Sequence, residues 1–181
     1  DYNTPKNTNL LLGIGRFHEN KGFDFLIRAL AYNKDCVLWL VGEGKLKNFY
    51  LNLAREIGVS DRVRIINWTN QISKFYNTAD ILVCTSQVEP LGNIIIEGWS
   101  HKIPVIGPNI MGPDELIRNN VNGLKYENNN LDDLVKCIEK LKNNKVLRNR
   151  IVNNAYDLFI EKYNERKVMK RFISFFNKIK S

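Results

Sequence analysis

The sequence predicts an α/β fold, a Rossmann-like, doubly wound parallel sheet of about six strands with helices on both faces. Two observations predict it. Short apolar runs alternate along the chain with longer segments whose apolar residues recur at helical spacing. The short runs are apolar at nearly every position, which is typical of parallel strands that are covered on both faces. Regular alternation of strand and helix is the pattern that such a sheet requires.

Six segments are predicted to be strands, and most of them are short apolar runs that end in glycine or in polar residues. In chain order they span 9–15, 36–44, 62–68, 80–86, 103–107 and 122–126. Ligands of such sheets bind beyond the carboxyl ends of the strands, near the point where the strand order reverses. We therefore expect the functional residues in the loops that follow the strands.

Helices are predicted between these strands from apolar stripes with a period near 3.6 residues. The stripes are Phe23, Leu26, Ile27 and Leu30; Leu46, Tyr50, Leu53 and Ile57; and Leu131, Leu134, Val135, Ile138 and Leu141. A short helix is predicted near 71–78 and another over 92–101. The rest of the chain, to its last residue, is predicted to be helical and basic.

The 181 residues suit a single domain, 1–181, which includes the basic helical segment near 145–181. The net charge of +8 suits a phosphorylated ligand, nucleic acid or an anionic membrane surface. Cys36, Cys84 and Cys137 are widely spaced in apolar segments, which predicts reduced, buried thiols in a cytoplasmic protein and no zinc site. The chain begins without Met, shortly before a predicted strand, so we expect a piece of a longer protein.

The segment "GIGRFHENKG", residues 13–22, follows the first predicted strand. Its glycines, Gly15 among them, let a ligand approach the backbone, and a helix is predicted to start near Gly22. The free N–H groups of a helix N-terminus attract phosphate, and Arg16 and Lys21 add full positive charges. The spacing is not that of the G-x-G-x-x-G dinucleotide fingerprint. A phosphate site and a simple turn with solvated cations therefore both remain open.

The segment "TSQVEPLGNIIIEG", residues 85–98, follows the fourth predicted strand. Glu89 lies in the loop, and Gly92 and Asn93 lie where the helix begins, so their amides could hold an anion. Glu97 comes one turn later on an otherwise apolar helix, so we expect it to be buried and hydrogen-bonded. A sugar diol, with two hydroxyl donors, is one suitable partner. A lysine or the N-terminus of another helix is the alternative.

The segments "GRFHENKG" and "EPLGNIIIE" resemble the two signature segments of retaining glycosyltransferase family 4, which has the GT-B architecture. The second matches the E-x7-E motif of that family. The resemblance continues through "EGWSHKIPVIG", "GPDELI" and "NGLKYENNNLDDLVKCIEKL" and covers nearly the whole chain. It implies that the chain is the C-terminal, nucleotide-sugar-binding domain of such an enzyme, without the N-terminal domain that binds the acceptor.

The resemblance also implies roles for the charged residues. Glu97 would bind the ribose hydroxyls of the nucleotide, and Glu89 would contact the 3- and 4-hydroxyls of the donor sugar. Arg16 and Lys21 would neutralise the diphosphate, and these two cations together with Glu89 form the predicted catalytic set. Two cations and a helix terminus can stabilise the leaving nucleoside diphosphate without a metal. No Asp-x-Asp element suggests Mg²⁺ or Mn²⁺, and no cofactor is expected.

Backbone groups complete the site that the resemblance implies. The amides of Leu91, Gly92 and Asn93 would meet the diphosphate and the sugar, beside Gly15 of the first loop. Trp68 follows the third strand in a loop that lies beside the nucleobase in this family. It is interpreted either as a ring that stacks on the base or, preferably, as an ordinary residue at the edge of the core.

The basic segment over 162–180 carries an apolar stripe among lysines and arginines. The stripe consists of Met169, Phe172, Ile173, Phe176 and Ile179, and the cations are Lys162, Arg166, Lys167, Lys170, Arg171, Lys178 and Lys180. One interpretation is contact with the inner face of a membrane, where lipid-linked acceptors would lie. The preferred one is a helix packed on its own domain or returning toward the missing domain.

The predicted function is donor binding in a retaining glycosyltransferase, whose parent moves a hexose-like unit from a nucleoside-diphosphate sugar to a saccharide or lipid-linked acceptor. Cell-surface polysaccharide or lipopolysaccharide assembly is the expected setting. Two alternatives are a sugar-nucleotide epimerase of GT-B build and a basic nucleic-acid-binding α/β domain. The second is disfavoured because the lysines are spread along the chain and no nucleic-acid motif is present. The chain alone is expected to transfer nothing, and its sequence predicts neither base, sugar, acceptor nor oligomeric state.

Overall fold

Six parallel strands form one sheet in the computed structural model, which describes residues 2–5 and 8–179. The strands are β1 (Asn9–Ile14), β2 (Cys36–Val41), β3 (Val63–Ile66), β4 (Ile81–Val83), β5 (Val105–Pro108) and β6 (Leu124–Tyr126). Their order across the sheet is β3-β2-β1-β4-β5-β6, and every neighbouring pair is parallel. The predicted fold class is confirmed, since this is a doubly wound, Rossmann-like sheet.

Eight α-helices connect and follow the strands within the described residues. They are α1 (Phe23–Tyr32), α2 (Lys47–Glu56), α3 (Ile72–Thr78), α4 (Asn93–Ser100), α5 (Met111–Leu116), α6 (Leu131–Asn143), α7 (Lys145–Leu158) and α8 (Glu165–Ile179). A π-helical turn, Phe159–Tyr163, separates the last two. The predicted helices are present. The sequence did not predict α5, because its six residues include Gly112 and Pro113 and show no apolar stripe.

The sheet separates two apolar cores, because successive side chains of a strand point to opposite faces. Leu11 of β1 packs with α1, α2 and α6 on one face. Leu10, Leu12 and Ile14 of the same strand pack with α3 and α4 on the other. Helix α7 contributes to both cores, with Ile151 in one and Ala155 in the other. Both faces are thus covered, as continuous apolar strands predict.

The three cysteines are buried and free, as predicted. Burial raises the pKa of the Cys36 and Cys137 thiols to about 11 and also raises that of Cys84. The protonated thiols therefore behave as small apolar side chains of the core.

Helix α8 contradicts one of the two forms of the preferred prediction, while its return toward a second domain stays a prediction. Its apolar stripe is exposed, with Met169, Phe172, Ile173, Phe176 and Ile179 between 52% and 65% accessible. The interpretation that this helix packs on its own domain is therefore wrong. Lys180, named with the same stripe, lies outside the described residues. Among the residues that the structure describes, no helix is long and apolar enough to cross a bilayer.

Arg62 links the end of α1 to the start of β2 through hydrogen bonds. Its Nη1 donates to the carbonyl oxygens of Leu30, Asn33 and Cys36 at 3.2, 2.9 and 3.1 Å. These carbonyls lie where the chain turns from helix to strand, and the guanidinium joins all three.

Replacing Arg62 by Met should lower the free energy of unfolding by about 2 kcal/mol, because charged hydrogen bonds to partly buried carbonyls are lost. Urea denaturation measures the change. Arg55→Met is the matched control, since Arg55 is exposed and donates to the side chain of Asn52 alone among the described residues. It should change stability by less than about 0.5 kcal/mol. Equal effects of both substitutions would contradict this role of Arg62.

Candidate functional site

The strand order places β1 beside β4 at the centre of the sheet, where the winding direction reverses. Ligand sites of open α/β sheets lie at this switch point, outside the carboxyl ends of the strands. The loops that follow the two strands meet there. The amide of Gln87 donates to the carbonyl of Asn20 at 2.8 Å, and Thr85 Oγ1 donates to the carbonyl of Lys21 at 2.9 Å.

Each of the two loops ends in a glycine that caps the following helix. Gly22 precedes α1 with a φ of 57°, and Gly92 precedes α4 with a φ of 63°. Both values lie in the left-handed region that favours glycine. A Cβ at residue 22 would lie 2.3 Å from the carbonyl oxygen of Thr85. Glycine at these points therefore allows both the turn into each helix and the close approach of the loops.

Lys21 and Glu89 form an ion pair across the two loops. Lys21 Nζ lies 2.6 Å from Glu89 Oε2, and the side chains are 27% and 12% exposed. The same oxygen accepts a hydrogen bond from Ser86 Oγ at 3.1 Å. Within the part of the chain that the structure describes, no donor contacts Glu89 Oε1. The ammonium of Lys21 also keeps N–H groups for a further acceptor, because it carries three.

Glu97 lies on the outer side of α4 and is exposed, so the expectation that it is buried is wrong. Ile95 and Trp99 face the core. Glu97 lies two positions from each of them, which is a rotation of about 200° around the helix axis, so it points away from the core. The carboxylate is nevertheless hydrogen-bonded, since Tyr76 OH donates to Glu97 Oε2 at 2.6 Å. Neither a lysine nor a helix N-terminus is its partner among the described residues.

The start of α4 presents backbone donors beside these carboxylates. Leu91 is 71% exposed, Gly92 is the N-cap and Asn93 is the first helical residue, as predicted. The first amides of a helix have no intrahelical acceptor. Over residues 2–5 and 8–179, no acceptor contacts the amides of these three residues. Leu91 and Asn93 are exposed, whereas Gly92 is buried and its amide nitrogen lies against Gly112 of α5.

The first loop contributes Gly15 and Arg16. The aliphatic stem of Lys21 lies over Gly15, because a Cβ added there would be 3.2 Å from Lys21 Cε. Arg16 is exposed and its guanidinium has no partner among the described residues. The structure thus brings Gly15, Arg16 and Lys21 to the same edge of the sheet as Glu89.

Trp68 follows β3 and is 54% exposed. This exposed fraction is larger than the preferred interpretation, a residue at the edge of the core, leads one to expect. Stacking on a nucleobase stays a prediction for this side chain.

Sequence reasoning missed three residues of this region. Ser86 contacts Glu89, Tyr76 contacts Glu97, and Gly112 of α5 supports the loop between them. The amide of Gly112 donates to the carbonyl of Glu89 at 3.1 Å. Ser86 lies three residues after β4 and at the start of the segment 85–98, and this place was a usable signal. Tyr76 belongs to a short helix far from both motifs, and only the folded arrangement reveals its contact.

Comparison with known proteins agrees with this fold. Residues 1–158 match the family described as Glycosyl transferases group 1. The chain belongs to that family. It is 31% identical, over 170 residues, to the lipopolysaccharide core biosynthesis glycosyltransferase LpsE of Rhizobium meliloti. The match covers 94% of this chain and 50% of LpsE.

Solved structures of glycosyltransferases share the fold. TarM of Staphylococcus aureus, in a complex that contains UDP, superposes with a TM-score of 0.85 at 29% identity, over 97% of this chain and 37% of TarM. HepE of Anabaena in complex with UDP superposes with a TM-score of 0.90 at 21% identity, over 95% and 49% of the two chains. The fold is therefore that of one Rossmann-like half of a GT-B glycosyltransferase, and the chain spans about half the length of the curated relatives it matches.

Replacing Gly112 by Ala should loosen the loop at the switch point. The new Cβ would lie 2.7 Å from Gly92 N and from Leu91 C and 2.8 Å from Glu89 O, so the backbone must shift. Such overpacking costs about 1–3 kcal/mol locally. Hydrogen exchange of the amides of 86–93 should accelerate accordingly. Glu115→Ala, an exposed position on the same helix, is the control, and equal exchange in both variants would contradict the contact.

Proposed function

We propose that this chain is the donor-binding half of a retaining glycosyltransferase that uses a nucleoside-diphosphate sugar. The observation that carries the proposal is the set of groups at the switch point. Lys21 and Glu89 pair across the loops that follow β1 and β4, and Arg16 lies in the first of these loops. The second loop leads into the first amides of α4, and Glu97 lies one turn further along that helix. Each carboxylate has one oxygen occupied by protein donors and one that no described residue contacts. Free carboxylate oxygens suit sugar hydroxyls, while cations and helix amides suit a diphosphate.

Each group has a role in this proposal. Glu97 accepts from the ribose hydroxyls, and Glu89 accepts from the 3- and 4-hydroxyls of the donor sugar. Lys21, Arg16 and the amides of Leu91 to Asn93 stabilise the negative charge that grows on the departing diphosphate. This fixed set of donors can stabilise the leaving group without a metal, so we propose metal-independent transfer. The resemblance to the E-x7-E motif supports retention of configuration.

The setting is proposed from the relatives. LpsE is named for lipopolysaccharide core biosynthesis, which supports assembly of a cell-surface saccharide on a saccharide or lipid-linked acceptor. We place the protein in the cytoplasm, with a second domain that binds the acceptor. Without that domain half of the cleft is missing, so this chain alone should bind donor and transfer nothing. The family match favours transfer over epimerisation, and the charges gathered at the switch point favour a nucleotide over nucleic acid.

The exposed stripe on α8 needs a covering surface in this proposal. Large apolar side chains that stand in water are unfavourable as a contiguous patch. The second domain is the proposed partner. The inner face of a membrane is the alternative, because Lys170 and Arg171 adjoin the stripe and would meet anionic lipid.

Calorimetric titration with a panel of nucleoside diphosphates and their sugars tests the donor site. One base should bind saturably. Lys21→Ala and Glu97→Ala should each weaken that binding by about tenfold or more, because a charged hydrogen-bonding partner is removed. Lys136→Ala and Glu139→Ala, exposed positions on α6, are the matched controls and should leave the affinity unchanged. Equal affinities in all four variants would place the nucleotide elsewhere.

Glu89→Gln separates the sugar from the diphosphate. Glutamine keeps the shape and removes the charge that neutralises Lys21, so the nucleoside diphosphate should bind as well or more tightly. The additional affinity of the nucleotide sugar should fall by about tenfold, because the acceptor of its hydroxyls is weakened. The same calorimetry measures both values. A parallel loss for diphosphate and nucleotide sugar would show that Glu89 does not contact the sugar.

A further inference from the structure

Tyr76 is a buried residue of α3 whose hydroxyl emerges beside the candidate site. It is 2% exposed and belongs to the core beneath α3 and α4. The ring of His101 stacks on it, with centroids 4.6 Å apart and an interplanar angle of 19°. His101 is itself held at the end of α4, where its Nδ1 lies 2.9 Å from the carbonyl oxygen of Glu97. Tyr76 is therefore held rigidly on both sides.

The hydroxyl of Tyr76 donates a hydrogen bond to the side chain of Glu97. Glu97 is exposed, and among the described residues the Tyr76 hydroxyl is the one group that contacts its carboxylate. A free glutamate in water samples many rotamers, and fixing it opposes binding through lost entropy. The bond to Oε2 selects one orientation and leaves Oε1 without a donor among the described residues. Burial and the nearby Glu97 carboxylate raise the pKa of Tyr76, so its hydroxyl remains a donor.

We propose that Tyr76 is a positioning residue that aims the Glu97 carboxylate at the ribose 2′,3′-diol and thereby sets selectivity for ribonucleotides over 2′-deoxyribonucleotides. This inference rests on the proposed function, because it takes Glu97 as the ribose partner. A carboxylate that is held in one orientation accepts both ribose hydroxyls at once. A mobile carboxylate gains less binding free energy from the second hydroxyl. The 2′-hydroxyl should therefore contribute less to affinity when the Tyr76 bond is absent.

The experiment compares UDP with 2′-deoxy-UDP by calorimetric titration of this chain. The wild type should bind UDP about tenfold more tightly than the deoxy analogue. Tyr76→Phe removes one hydroxyl and should reduce that ratio to about threefold or less. The affinity for UDP should fall more than the affinity for 2′-deoxy-UDP. Tyr126→Phe is the matched control. It removes another buried hydroxyl, which lies 3.3 Å from the carbonyl of Cys84, and should leave the ratio unchanged.

The outcomes separate the two proposals. If the calorimetric panel selects a base other than uracil, the diphosphate of that base and its 2′-deoxy form replace UDP and its analogue. Wild type that binds the ribo and 2′-deoxy forms equally, or binds no nucleoside diphosphate of the panel, contradicts the ribose role of Glu97 and so the proposed function. Wild type that discriminates while Tyr76→Phe discriminates equally well overturns the inference alone. If Tyr76→Phe does not fold, His101→Ala decides, since it removes the stacked ring from a partly exposed position. A lowered ratio in that variant supports the positioning role, and an unchanged ratio overturns it.

Discussion

The close approach of two backbone loops at the centre of the sheet is the constraint on which the candidate site depends. Parallel pairing of β1 with β4 brings the loops together, and the missing side chain of Gly22 lets the Thr85 carbonyl lie against it. Once they touch, hydrogen bonds from Gln87 and Thr85 tie one loop to the other. The charged side chains then meet across a fixed gap. A larger residue at 22 would separate the loops and the ion pair together.

The two carboxylates are held by different means. Glu89 is largely buried, and its occupied oxygen receives both an ammonium and a hydroxyl donor. Glu97 is exposed, and its occupied oxygen receives a single phenol. In the proposed function Lys21 would bridge Glu89 and a diphosphate, because one ammonium has three N–H groups. Positive charge at the phosphate and acceptor capacity at the sugar would then be coupled through one side chain, which favours a ligand that carries both groups.

Much of this arrangement could be predicted from the sequence, and the exceptions have physical causes. Apolar strands and glycine-ended loops report local preferences, so the sheet and the starts of α1 and α4 were predictable. Burial of Glu97 was mispredicted because three consecutive isoleucines, at 94–96, precede it and do not mark one side of this short helix as the buried one. The contact with Tyr76 depends on how α3 lies beside α4, which is a tertiary property. Helix α5 has too few residues for any periodicity to show.

Helix α8 illustrates the same limit on a larger scale. Its stripe is regular, and a regular stripe predicts that an apolar surface will cover it. The pattern does not say which surface, and the domain itself leaves the stripe exposed. Fully burying one such side chain stabilises a protein by about 1.5–3 kcal/mol relative to exposure. For five of them the contribution is comparable with the small free energy by which a domain is stable, so a surface that covered this face would matter as much as any core contact.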